Sequence, residues 1–159
     1  WKILYEERIM AVRDYTSRRQ AITNALAEKL STIDGTGEYL TDVSGNVSPR
    51  LKFLDEIQEF PAIHLNAGSE VRQYQGGGYK DRFLNITIRC YVQEEDAVDA
   101  LDKLLEDVET LLEANSSLRY VDRRGNAQST LKNTIISIDT DEGVLEPLGV
   151  GEISLEVQY

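Results

Sequence analysis

The sequence predicts an α+β domain: a mainly antiparallel sheet with two principal helices packed on one face. Three stretches carry that expectation. From Arg82 to Val92 the residues Leu84, Ile86, Ile88, Cys90 and Val92 point one way and Phe83, Asn85, Thr87, Arg89 and Tyr91 the other, the period of two of a half-buried strand. From Val150 to Tyr159 the pattern repeats, with Ile153, Leu155, Val157 and Tyr159 inward against Glu152, Ser154, Glu156 and Gln158 outward. Between these strands, Ala97, Val98, Leu101, Leu104, Leu105, Val108, Leu111 and Leu112 form a helical stripe. It opens on Glu94-Glu95-Asp96, acidic residues where the helix dipole favours negative charge.

The other elements follow in chain order. No Gly or Pro interrupts Tyr5 to about Ile33, and Ile22, Leu26, Leu30 and Ile33 sit at helical spacing beside Ala21 and Ala25. Ile9, Val12 and Tyr15 carry an apolar stripe toward the N-terminus, but Thr16-Ser17 offers a new N-cap where the helix breaks or restarts. A helical extension over 1–16 and a single domain over 17–159 are therefore expected. After Asp34-Gly35-Thr36-Gly37, residues 38–53 read as two short strands around Ser44-Gly45-Asn46, with Pro49 favouring an edge. Leu54 to Glu59 reads as a turn of helix, and Phe60-Pro61 sets the entry to a strand over Ala62 to Ala67. The connection from Gly68 to Arg82 is far longer than a hairpin needs, which marks a functional or disordered loop. Beyond the second helix, Leu118 to Val121 and Thr134 to Ile138 read as strands, separated by a turn at Asp122-Arg123-Arg124-Gly125-Asn126.

Composition narrows the function classes. A chain of 159 residues with 41% hydrophobic content suits one domain that buries roughly 68 to 70% of its unfolded surface. Seventeen basic against 28 acidic residues gives 17 − 28 = −11, which argues against gripping nucleic-acid phosphates. The densest basic candidates are Arg13, Arg18 and Arg19 on the first helix and Arg123-Arg124 in a turn, read first as solvated or paired. No apolar run approaches the roughly 20 residues of a membrane-spanning helix, and Trp1 to Arg8 lacks a signal-peptide core. With one cysteine there is no disulfide framework, so a soluble product of a reducing cytoplasm is expected. The start at Trp1 rather than Met points to processing or to preceding residues.

No catalytic set is evident. Cys90 faces the expected core, and the single histidine, His64, lies within a strand, so neither a two-histidine metal site nor a Ser-His-Asp arrangement with further histidines can be assembled. Asp139, Asp141 and Glu142 would in principle hold Mg²⁺, but acids beside Gly143 at a strand end read first as an ordinary turn. Gly76-Gly77-Gly78-Tyr79-Lys80 is no phosphate-binding loop, because Ser or Thr does not follow the lysine and a strand, not a helix, comes next. Three glycines there predict a flexible hinge in a protruding loop, flanked by Tyr74 and Tyr79 as contact surface.

Three stretches, in order, resemble the bacteriophage tail-terminator (tail-completion) family of the minor tail protein U type. They are Leu54-Asp55-Glu56-Ile57 with Phe60-Pro61-Ala62-Ile63 and Gly68-Ser69-Glu70; Cys90-Tyr91-Val92 with Glu94-Glu95-Asp96; and Thr140-Asp141-Glu142-Gly143 through Pro147-Leu148-Gly149-Val150-Gly151-Glu152 to Val157-Gln158-Tyr159. The resemblance covers the chain from about Arg18 onward; the segment before Thr16 lies outside its pattern.

What it implies is a structural virion protein without cofactor or turnover. Copies, typically six, would close into a ring on the head-proximal end of the tail tube, stop tube polymerisation and present a surface to the neck. The expected partners are further copies of the chain, the tube protein and a neck or head-completion protein, with assembly in the host cytoplasm and no membrane. Glu70, Arg72, Tyr74, Gly76, Gly77, Gly78, Tyr79 and Lys80 are the expected subunit or tube contact, and Asn85, Thr87, Arg89, Glu152, Ser154 and Glu156, with Gln158, a face for the channel or a neighbour. Six copies would carry 6 × −11 = −66 formal charges, so DNA would pass without specific binding. The alternatives are another neck or head-completion protein and a small metal-dependent hydrolase using Asp139, Asp141 and Glu142.

Overall fold

The computed structural model describes residues 16–159, so the extension expected before Thr16, Arg13 included, lies outside the described residues. Helix α1 (Arg18–Leu30) begins at the cap that Thr16-Ser17 predicts. The Ser17 hydroxyl accepts the Gln20 N–H at 3.2 Å, satisfying one of the donors that a helix start leaves open. Ile22, Leu26 and Leu30 line one side of α1 and are fully buried, with Ile33 buried just beyond it.

Residues 38–53 overturn the expected hairpin. Only a two-residue strand forms, β1 (Val47–Ser48), and it runs parallel to the next one, β2 (Ala62–Tyr74), with Val47 opposite Ile63. A carboxylate distant in sequence explains the difference. Buried Asp107 accepts the Leu40 N–H at 3.0 Å, the Thr41 N–H at 2.7 Å and the Thr41 hydroxyl at 2.5 Å, so donors that a strand would have paired are satisfied by a side chain. Asp42 accepts the Ser44 N–H at 3.0 Å in a side-chain-mimicked turn. A 3₁₀ turn at Leu54–Glu56 matches the expected turn of helix.

The remaining elements are β3 (Lys80–Gln93), α2 (Ala97–Ala114), β4 (Arg119–Val121), β5 (Ala127–Ser129), β6 (Lys132–Thr140) and β7 (Leu148–Gln158). Five strands form one sheet in the order β1-β2-β3-β7-β6, antiparallel except at β1, while β4 and β5 make a small separate hairpin. No period in the sequence marks β5, whose three residues are all exposed.

Asp96 caps α2 by accepting the Asp99 N–H at 3.2 Å, and Leu101, Leu104, Val108 and Leu111 pack onto β3 and β7. Both helices lie on one side of the sheet, over Ile63, Leu65, Leu84, Ile86, Ile88, Ile153, Leu155 and Val157, as the alternation requires. Two glycines on β7 set how closely α2 approaches. A Cβ on Gly149 would stand 2.7 Å from Val92 Cγ2 and 3.2 Å from the Ala97 carbonyl oxygen, and one on Gly151 would stand 3.2 Å from Leu101 Cδ1.

Cys90 is fully buried, and burial pushes its thiol up to about 12, so it stays a neutral core group. His64 is a buried structural residue. Its Nδ1 accepts the Lys52 N–H at 3.4 Å, and its ring lies 5.1 Å from that of Tyr91. Burial first, then the charges of Lys52 and Arg89, hold its imidazole below the ordinary value, favouring the neutral ring.

Candidate functional site

The stretch from Gly68 to Arg82 is not the irregular loop its length implied. β2 and β3 simply continue outward as a paired arm, with Val71 opposite Phe83, Arg72 opposite Arg82, Gln73 opposite Asp81 and Tyr74 opposite Lys80. From Gly68 to Gln75 the arm extends about 23 Å at the rise of a strand. Its end is a closed turn rather than a free hinge. The Gln75 N–H donates to the Tyr79 carbonyl at 2.8 Å, while Gly77 and Gly78 take φ of 77° and 83°, the left-handed region that glycine tolerates. Tyr74 and Tyr79 are 74% and 77% exposed at the tip, too far out to pack on the core.

A bulge gives the arm its orientation. Ala67 pairs with Ile86, but the next pair is Glu70 with Leu84, so β2 carries one residue more than β3 between them. The bulge absorbs the extra residue, so Glu70, like Ala67, faces the helix-covered side. There the Tyr159 hydroxyl donates to Glu70 Oε1, and Arg72 Nε donates to Glu70 Oε2 at 2.7 Å. Burial alone would raise the Glu70 carboxyl; the hydrogen bonds from Tyr159 and Arg72 outweigh it and hold the group below its ordinary value. Burial and the same carboxylate push the Tyr159 hydroxyl up. An Arg19 guanidinium donor to the Gly68 carbonyl ties α1 to the bulge itself.

The opposite side of the sheet carries the second predicted set. Asn85, Thr87 and Arg89 on β3 lie opposite Glu156, Ser154 and Glu152 on β7, and all six are half-buried. Asn85 Nδ2 donates to Ser154 Oγ at 2.9 Å, and Arg89 Nε donates to Glu152 Oε1 at 2.6 Å. Polar cross-strand pairs replace an apolar surface here, so the sheet needs no second helix layer. The face is not bare throughout: around Lys52 the chain folds over the corner at His64, where Ala62 and Tyr91 are also buried.

The acids considered for a metal do not converge. Asp139 faces Glu152 across β6 and β7, whereas the Asp141 carboxylate accepts the Leu145 N–H at 3.2 Å and the Val150 N–H at 3.4 Å within the β6–β7 turn. Glu142 is exposed at a φ of 56°. Among the described residues, no group of three or more His, Cys, Asp or Glu could hold a metal ion. No described helix is long and apolar enough to cross a membrane.

The sheet is thus covered by helices on one side, largely polar on the other and drawn out into an arm. The sequence model of a family described as "Bacteriophage Tail Tube Terminator Protein" matches residues 16–159. The tail tube terminator protein p142 of Escherichia phage T5 is 33% identical over 149 residues, covering 89% of this chain and 92% of that protein. This chain belongs to the phage tail tube terminator family. The terminator is thus a structural protein of the virion tail, as the resemblance implied.

Within this terminator the two predicted residue sets lie on one continuous sheet but do not form one site. Tyr74, Gly76, Gly77, Gly78, Tyr79 and Lys80 are at the far end of the arm, Glu70 and Arg72 at its base, and the polar set on the outer face of the sheet's body. Sequence reasoning missed that Glu70 and Arg72 belong to the base and that Tyr159 secures them. The inward position of Tyr159 at the end of the β7 alternation was the available signal; the bulge that supplies its partner was not visible in the pattern.

Proposed function

We propose that the chain closes with identical copies into a six-membered ring that caps the head-proximal end of the tail tube, stops tube polymerisation and joins the tail to the neck. Membership of the terminator family supports the position on the tube. The observation that carries the contact is the arm: a paired extension with two tyrosines at a glycine turn, both about three-quarters exposed. Its tip, from Tyr74 to Lys80, serves as the contact with a neighbouring subunit or the tube. The arm lies along a sheet whose other face is polar, and that face, from Asn85 to Arg89 and Glu152 to Glu156, lines the channel or meets a neighbour. Arg89 against Glu152 and Glu156 leaves 1 − 2 = −1 on these six residues, so DNA slides past them without specific binding.

Negative-stain microscopy of the purified protein, alone and with tube protein, tests the proposal. Rings on tube ends that are lost on deleting Gly76 to Gly78, while the fold survives, are the expected result. Solitary particles that ignore tubes would end it. Complementation separates this role from that of another neck or head-completion protein: loss of a terminator leaves tails of uncontrolled length or unstable ends.

A further inference from the structure

The two basic stretches that the sequence keeps apart, Arg18-Arg19 and Arg123-Arg124, meet in space. Together with Arg72 and Arg82 they line a cavity of about 610 Å³ on the helix side of the arm base, closed by Tyr159 and the β4–β5 turn. Six of the chain's 17 basic residues thus converge in a molecule of net charge −11, with Asp122 and the adjacent Glu70 as the opposing acids. All six are arginines, whose flat guanidinium forks match carboxylates in pairs of hydrogen bonds. Arg18 and Arg82 stack over the Tyr159 ring at 5.9 and 5.5 Å, which holds their planes in place. Arg82 Nε is buried without a hydrogen-bond partner among the described residues, a donor that burial makes costly to leave unmet. Among the described residues, Arg72 alone of Arg18, Arg19, Arg72, Arg82 and Arg124 forms an ion pair there.

We propose that this cavity is a docking site for an acidic peptide segment, a run of Asp or Glu presented by another protein chain. A cavity of this size takes a few carboxylate side chains, whereas a DNA duplex needs a long basic track, and the terminator's remaining surface is predominantly acidic. The opposite end of the sheet shows the contrast. About 35 Å away along β3, Glu94, Glu95, Asp96, Asp141, Glu142 and Glu146 gather where the β6–β7 turn abuts the start of α2. The charge of the subunit is therefore polarised along its strands, and each end selects a different partner. The cavity lies within one subunit, so the site stands or falls independently of ring closure.

Fluorescence anisotropy of a labelled hexaglutamate peptide against the full chain tests it, since a protein this acidic would otherwise repel the probe. Saturable binding at low salt that weakens as salt is raised is expected. Arg18→Gln with Arg124→Gln should weaken it roughly tenfold or more, and Arg82→Gln alone should also weaken it, with circular dichroism confirming that each variant folds. Arg50→Gln with Arg119→Gln, outside the cavity, should leave it unchanged. Absence of binding to the full chain, an equal loss in the control pair, or a short DNA duplex that displaces the peptide through the same arginines would each overturn the proposal.

Discussion

β2 and β3 are one ladder with two physical lives. Inside, Ile63, Leu65, Ile86, Ile88 and Cys90 are sealed under the helices, and burial of apolar surface holds the strands together. Beyond the bulge the same ladder continues with every β2 residue from Val71 to Tyr74 exposed, held by backbone pairing and by the Glu70, Arg72 and Tyr159 group at its base. Stability therefore resides in the inner half and contact in the outer half. Damage to one half should leave the other largely intact.

The largest effects should come from the inner half. Ile86→Ala, in the middle of β3, is expected to cost about 2 to 5 kcal/mol in denaturant unfolding, enough to threaten the whole fold. Asp107→Ala leaves the backbone donors of Leu40 and Thr41 without their carboxylate and should cost about 2 to 3 kcal/mol. Gly149→Ala forces a methyl against Val92 and the Ala97 carbonyl and should cost about 1 to 3 kcal/mol.

The boundary between the halves sharpens the comparison. Tyr159→Phe removes one hydrogen bond to a carboxylate, worth about 1 to 2 kcal/mol. Its effect should appear as faster amide exchange over 70–74 and 80–83, with a small change in global unfolding. The same contact sets a pH dependence. Because the Glu70 carboxyl is held below its ordinary 4.5, its contribution is complete above that value and is lost as pH falls through the folded-state value. Protection of the amides across 70–74, taken relative to their intrinsic exchange rates, which themselves slow as pH falls, should therefore drop under acid in the native protein, and less so in Tyr159→Phe. Equal acid sensitivity in both would remove Glu70 from this role. Smallest of all, Tyr74→Ser with Tyr79→Ser should change stability by no more than about 0.5 kcal/mol while abolishing ring formation on tubes. A large loss of stability instead would mean that the arm belongs to the core after all.

The same division explains what the sequence made legible. The alternation of β3 and β7 and the stripe of α2 were readable because each element has one buried face, which imprints a period on the chain. The arm has none, so Glu70 to Lys80 reads as a loop although it is paired along its length. Residues 38–53 mislead for another reason: Val43 is buried as a strand residue would be, but the backbone before it is held by Asp107, which no local pattern reveals. How the candidate residues group in space was not legible. Arg72 joins Arg18 and Arg124 only through the bulge and the β4–β5 turn, and β5, three exposed residues, is too short and polar to announce itself.

The extra residue beside Gly68 bends the arm without inverting its faces. Because the bulge absorbs one residue between Ala67 and Glu70, removing Ser69 would leave a regular ladder with Glu70 still across from Leu84 on the helix-covered side; what would go is the local bend and added twist that aim the arm. The reach of the arm is thus set by how many pairs the ladder holds, and its aim by a single position.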